Sequence, residues 1–287
     1  MIATGVLLAL LALVGWGVGD FLIQRTTRLV GSAKALFFIG LVGFLALSPF
    51  VLPDLGQISF ADIALLSVLS IIVMAGAAFD FEALRQGKIA VVEPVVGLEL
   101  PMAVGISVLF IGESLGTTQF LFMLLVFAGT VLVVMRSFHH VSLRLLEKGV
   151  WLAFAAAIGT ALTSVLIGVS SQAISPLVAV WFSHGALALV AFLVILRDGT
   201  LHTTWKQIKK HPVTIAAHSI SDNVAWVAFA TAVTFVPISV ANTISGGYIA
   251  LAVLLGLFLN KEKVKPHQLL GIFLVAIGVI ALSYFYG

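Results

Sequence analysis

Apolar residues run through this chain in long unbroken stretches and do not alternate with polar ones. Ten such stretches can be drawn, over residues 3–24, 34–52, 62–84, 89–111, 117–136, 149–172, 176–196, 212–235, 237–259 and 266–286. About 20 apolar residues carry a helix across the hydrocarbon core of a bilayer. A membrane β-strand would show period-two alternation instead. The pattern therefore predicts an all-α integral membrane protein with ten transmembrane helices joined by short loops. The first stretch lacks a positively charged start and is too long for the apolar core of a signal peptide, so it is expected to be the first span.

Composition agrees. Of 287 residues, 61% are hydrophobic and 9% are charged, and the mean hydropathy is +1.20. A soluble fold is about a quarter charged. Soluble enzymes, nucleic-acid binders and disordered chains are thereby excluded, and the basic pI of 9.3 is no nucleic-acid footprint. Cysteine is absent, which removes disulfides, thiolate metal sites and thiol nucleophiles.

All fifteen lysines and arginines fall in the loops after the first, third, fifth, seventh and ninth stretches. The other loops and both termini have none. By the positive-inside rule the odd loops are expected in the cytoplasm and both termini outside. The expected setting is a prokaryotic cytoplasmic membrane.

The two halves of the chain repeat each other. Residues 93–129 fall on 242–278 at a constant offset, which aligns Glu113 with Glu262, Gln119 with Gln268, Gly97 with Gly246 and Gly129 with Gly278. The first spans align at a slightly shorter offset, Gly5-Val6 on Gly149-Val150 and Gly15 on Gly159. The expected units are 1–144 and 145–287, five helices each. An odd number of crossings inverts the second unit. Inverted repeats are the sequence mark of alternating access, with a binding site near the midplane.

These landmarks resemble the EamA-type, ten-helix branch of the drug/metabolite transporter superfamily. The resemblance rests on Phe110-Ile111-Gly112-Glu113-Ser114-Leu115 with Gln119 and Gly129, and on Leu259-Asn260-Lys261-Glu262 with Gln268, Gly271 and Gly278. Gly15-Trp16-Gly17 and the stretch from Ala83 to Pro94 fit as well. The resemblance implies two inverted five-helix repeats around a central cavity, and secondary active transport, usually export of metabolites or drugs. Glu93 and Glu99 depart from it, because many relatives carry apolar or small residues there.

Six acids lie within the spans: Asp20, Asp80, Glu82, Glu93, Glu99 and Asp222. The first four are close in sequence to the basic loops. They either pair at the interface with Arg25, Arg85 and Lys88 or face a cavity. Glu99 and Asp222 sit about three helical turns beyond Lys88 and His211, roughly 16 Å deep. A carboxylate at that depth is costly unless it holds a proton or a cation, which makes both candidates for coupling. His218, Asp222 and Trp226 share one helix face, beside Asn223. His218 with Asp222 is either a proton relay or a structural pair. His184 is a further proton-site candidate, or an interhelical hydrogen bond. Trp16, Trp226 and Tyr248 are candidate cavity walls, joined by Asp20, Glu93 and Asn242. Tyr248 is the repeat mate of Glu99, and Asn242 that of Glu93. Trp151 and Trp205 lie near loops and are expected to anchor at the interface. Pro94 and Pro101 should break the fourth helix and free the Ala90 and Gly97 carbonyls.

The expected function is a secondary transporter of a small cationic, zwitterionic or neutral solute, coupled to protons. Its partners are that solute, protons and the lipid bilayer, with no nucleic acid, no cofactor and no metal. Monomer and homodimer both remain open. An uptake carrier or exchanger, a channel and an integral-membrane enzyme are the alternatives. Against the enzyme stands the absence of a nucleophile motif or metal-ligand spacing.

Overall fold

The computed structural model describes residues 1–86, 92, 95–134, 148–259 and 265–286. Lys88, Ala90, Glu93, Pro94, Arg136, Arg144 and Glu262 lie outside the described residues. The chain is all helical, with no strand among the described residues. The helices are α1 (Ile2–Val30), α2 (Ser32–Val51), α3 (Phe60–Gln86), α4 (Glu99–Ile106), α5 (Thr117–Val134) and α6 (Lys148–Ala173). Then come α7 (Pro176–Arg197), α8 (Leu201–Lys210), α9 (Pro212–Ala232), α10 (Ile238–Gly246), α11 (Tyr248–Leu259) and α12 (Pro266–Tyr286).

Helices α1, α2, α3, α6, α7 and α12 are long and apolar enough to cross a membrane, and Glu99–Ile111, Thr117–Val133 and Ile238–Ala252 are shorter apolar helices. Helix α9 has the length, but His218, Asp222 and Asn223 lower its apolarity. The ninth expected span is divided at Gly247 into α10 and α11. One element was not expected: the loop after the seventh stretch contains α8, a short polar helix. Proline opens α7, α9 and α12, where its missing N–H costs nothing. A single residue, Gly31 at φ 89°, joins α1 to α2.

The polarity is inverted relative to a soluble protein. Large apolar side chains such as Leu7, Leu11, Phe273 and Ile280 are exposed, while Glu99, His184, His218, Asp222 and Asn242 are buried. Several hydroxyls within the helices are satisfied locally: Ser70 donates to the Leu66 carbonyl, Thr130 to Val126 and Thr243 to Ser239. That solution suits a medium with no competing water.

Packing follows the internal repeat. The dominant pairs are α1 with α9, α3 with α6, α2 with α7 and α5 with α12. Under the repeat alignment the first two pairs exchange and the last two map onto themselves, as a two-fold axis requires. Glycines permit the closest approaches. A Cβ on Gly159 would lie 2.5 Å from the Gly76 Cα, and one on Gly15 would lie 2.8 Å from the Ala225 Cβ. Between α5 and α12, a Cβ on Gly271 would lie 2.6 Å from the Gly129 carbonyl oxygen, and one on Gly129 would lie 2.7 Å from that of Gly271. The Gly271→Val variant should therefore lose about 1–3 kcal/mol by overpacking, measured by thermal melting in detergent. Gly105→Ala, with open space at its Cβ, should stay within about 1 kcal/mol of the parent.

Candidate functional site

A cavity of about 100 Å³ lies where α1, α2, α3, α4, α6, α7, α9, α10 and α11 converge. It is smaller than the roughly 300–1,000 Å³ of drug-sized sites. Four carboxylates line it from four helices: Asp20 on α1, Asp80 on α3, Glu99 on α4 and Asp222 on α9. Among the described residues no lysine or arginine lines it. The aromatic wall is Trp16, Trp226 and Tyr248. Trp16 meets Trp226 edge-on at 4.8 Å and Tyr248 at 5.9 Å between ring centroids.

The Tyr248 hydroxyl donates to Glu99 Oε1 at 3.1 Å, across 149 residues of sequence. These two are repeat mates, so their meeting places the bond on the two-fold axis of the packing. Each stands at a helix start that follows a break. Before Glu99 the chain turns at Gly97–Leu98. The Gly97 carbonyl takes Leu100 N–H at 3.4 Å, because Pro101, its helical partner, has no N–H. Before Tyr248 the break is at Gly247, whose carbonyl accepts from Ala250. At one outer end, Ile238 and Ser239 N–H donate to the two Glu113 carboxylate oxygens at 2.5 and 3.0 Å. This side chain from one half thus caps α10 of the other.

His184 and Asp222 face each other across α7 and α9, with Nε2 4.0 Å from Oδ2. Nδ1 lies 2.9 Å from the Val180 carbonyl. That contact assigns the ring proton of the neutral form to Nδ1 and turns Nε2 toward the carboxylate.

Of the expected site residues, Trp16, Asp20, Glu99, His184, Asp222, Trp226, Asn242 and Tyr248 line the cavity. Glu93 lies outside the described residues. His218 and Asn223 do not line it. His218 is within electrostatic range of Asp222 but makes no hydrogen bond to it: both ring nitrogens lack a hydrogen-bond partner among the described residues, and the ring lies 6.3 Å from that of Phe81. Asn223 Nδ2 donates to the Ile39 and Ser219 carbonyls, so this side chain docks α9 on α2. Interfacial pairing holds for Glu82, which binds Arg85. It does not describe Asp80, which turns into the cavity within electrostatic range of Glu99 and Asp222. Sequence reasoning also passed over Thr160, Thr163 and Ser164, which line the cavity from α6. Their signal was available: three hydroxyls at helical spacing on one face of an otherwise apolar run.

The sequence profile of the EamA-like transporter family matches twice, over residues 3–135 and 147–284. The chain belongs to the EamA-like transporter family. It is thus a membrane transporter of the drug/metabolite transporter superfamily, in a family of transporters and not of enzymes. A solved structure, described only as the crystal structure of a protein, superimposes with a TM-score of 0.70 over 98% of this chain and 97% of its own. At 17% identity that likeness is one of EamA-like fold alone. No curated protein matches.

The bond on the axis is testable by a double-mutant cycle in this EamA-like chain. Tyr248→Phe should cost about 1–3 kcal/mol by leaving a buried carboxylate oxygen without its donor. Combined with Glu99→Gln it should cost less than the sum of the two, by roughly 0.5–3 kcal/mol, as read from melting of the four proteins.

Proposed function

We propose that this transporter is a secondary active exporter of a small cationic, zwitterionic or neutral solute, working by alternating access and driven by protons moving inward. The observation that carries the reading is the convergence of Asp20, Asp80, Glu99 and Asp222 on one cavity with no lysine or arginine in its described lining. An anionic solute would meet four carboxylates and no counter-charge. A cation, or the ammonium of a zwitterion, meets both carboxylates and aromatic faces.

The same groups supply coupling. A proton and a cationic solute compete for one set of carboxylates, since holding either lowers the cost of negative charge inside the membrane. Outward-facing carboxylates release solute as they take protons, and inward-facing ones do the reverse. His184 and Asp222 hold the coupling proton in this reading. The halves 1–144 and 145–287 exchange roles about the two-fold axis, and the breaks before Glu99 and Tyr248 supply the hinges. In proteoliposomes, an imposed pH gradient should drive movement of such a solute, and Asp222→Asn should slow it at least tenfold (~1.4 kcal/mol). Undiminished gradient-driven transport in that variant removes Asp222 from the mechanism.

In this reading the positive-inside rule places the basic loops in the cytoplasm. With no native cysteine, an introduced one reports without background. Gly56→Cys, between α2 and α3, should react with an impermeant maleimide on intact cells. Lys206→Cys, on α8, should react only after the membrane is opened. The opposite labelling inverts the topology.

A further inference from the structure

Helix α8 lies between the end of α7 and the start of α9, joined to them by short connections, so it stays at the membrane surface. Its inner face packs on the bundle through buried Thr204 and part-buried Gln207 and Ile208. Lys34 at the start of α2 holds it there, donating to Thr203 Oγ1 at 2.8 Å and Gln207 Oε1 at 2.9 Å. Gln207 in turn donates to the Leu29 carbonyl at 3.4 Å. The remaining surface divides in two. Leu201 and Trp205, one turn apart, are 48% and 61% exposed. Lys206, Lys209 and Lys210 are exposed beside them, and Lys209 Nζ stands 5.7 Å from the Trp205 ring centroid. No acidic residue occurs between Asp198 and Asp222. Arg25 and Arg28 add exposed positive charge at the same end of the bundle.

We propose that α8 is a binding surface for anionic phospholipid headgroups. Trp205 and Leu201 enter the headgroup layer, while Lys206 and Lys210, which have no ion pair among the described residues, hold the phosphates. An exposed aromatic edge bordered by lysines is the arrangement of an interfacial helix. The uncompensated positive charge selects an anionic lipid over a zwitterionic one. Bound headgroups then lie over the α1–α2 junction that Lys34 ties to α8. The surface is independent of the transported solute.

The test uses the full chain in phosphatidylcholine vesicles that carry headgroup-level spin-labelled phosphatidylglycerol or spin-labelled phosphatidylcholine. The Trp205 component of fluorescence quenching is obtained by difference from Trp205→Phe. Phosphatidylglycerol should half-quench that component at a several-fold lower probe concentration than phosphatidylcholine, and added salt should erode the difference. Lys206→Gln with Lys210→Gln should remove most of that several-fold advantage, and Lys206→Arg with Lys210→Arg should keep it. Equal quenching by the two probes, or no Trp205 component with either, overturns the proposal. So does competition by soluble glycerol phosphate as effective as that of the lipid, which would mark a free-anion site. If the glutamine variant fails to fold, the probe comparison and salt response of the unmodified chain still decide.

Discussion

A bilayer offers no hydrogen-bond partner, so each polar group that enters it must be answered from within the protein. The hydroxyls of Ser70, Thr130 and Thr243 are answered by carbonyls one turn back, which any helix can supply. Carboxylates cannot be answered that way. Asp20, Asp80, Glu99 and Asp222 come from four helices and meet at one cavity, because the centre of the bundle is where a charge can find hydroxyls, an imidazole or a bound solute. The exterior is correspondingly apolar, and the fold is organised around a charged interior.

Two-fold packing determines how the interior is divided. The packed pairs α1–α9 and α3–α6 exchange under the repeat, and glycines at Gly76, Gly159 and Gly15 let the helices of each pair approach closely. The backbone symmetry does not extend to the chemistry. Glu99 and Tyr248 occupy equivalent positions after equivalent breaks, yet one is an acid and the other a phenol, and they bond to each other. A pair of identical acids on the axis would repel. The phenol instead donates to one carboxylate oxygen. The breaks themselves arise differently, from Pro101 after Gly97 in one half and from adjacent glycines in the other.

Much of this was legible in the residues. Continuous apolar runs led to helices, and aligned glycines and glutamates to a repeat and to the EamA-like family that the profile match bears out. The meeting of Glu99 with Tyr248 could be suspected from their equivalence. Depth below the basic loops singled out Glu99 and Asp222, and both line the cavity. Depth misjudged Asp80, which is nearer the loops than Asp222 but points inward, whereas Glu82 two residues later points to Arg85. Spacing misjudged His218 and Asn223, which share a helix with Asp222 but turn toward neighbouring helices.

The sequence by itself determined what the chain must be dissolved in and how its helices are ordered, because hydropathy and the periodicity of one segment are local properties. It also determined the pseudo-symmetry, since equal spacing of glycines and polar residues needs no coordinates to be seen. Only the tertiary structure decided which partner each buried polar group meets. Helix rotation and crossing are set by contacts between segments far apart in the chain. His184 rather than His218 faces Asp222, α6 supplies the hydroxyls, and a loop of lysines becomes a docked helix, all for that reason.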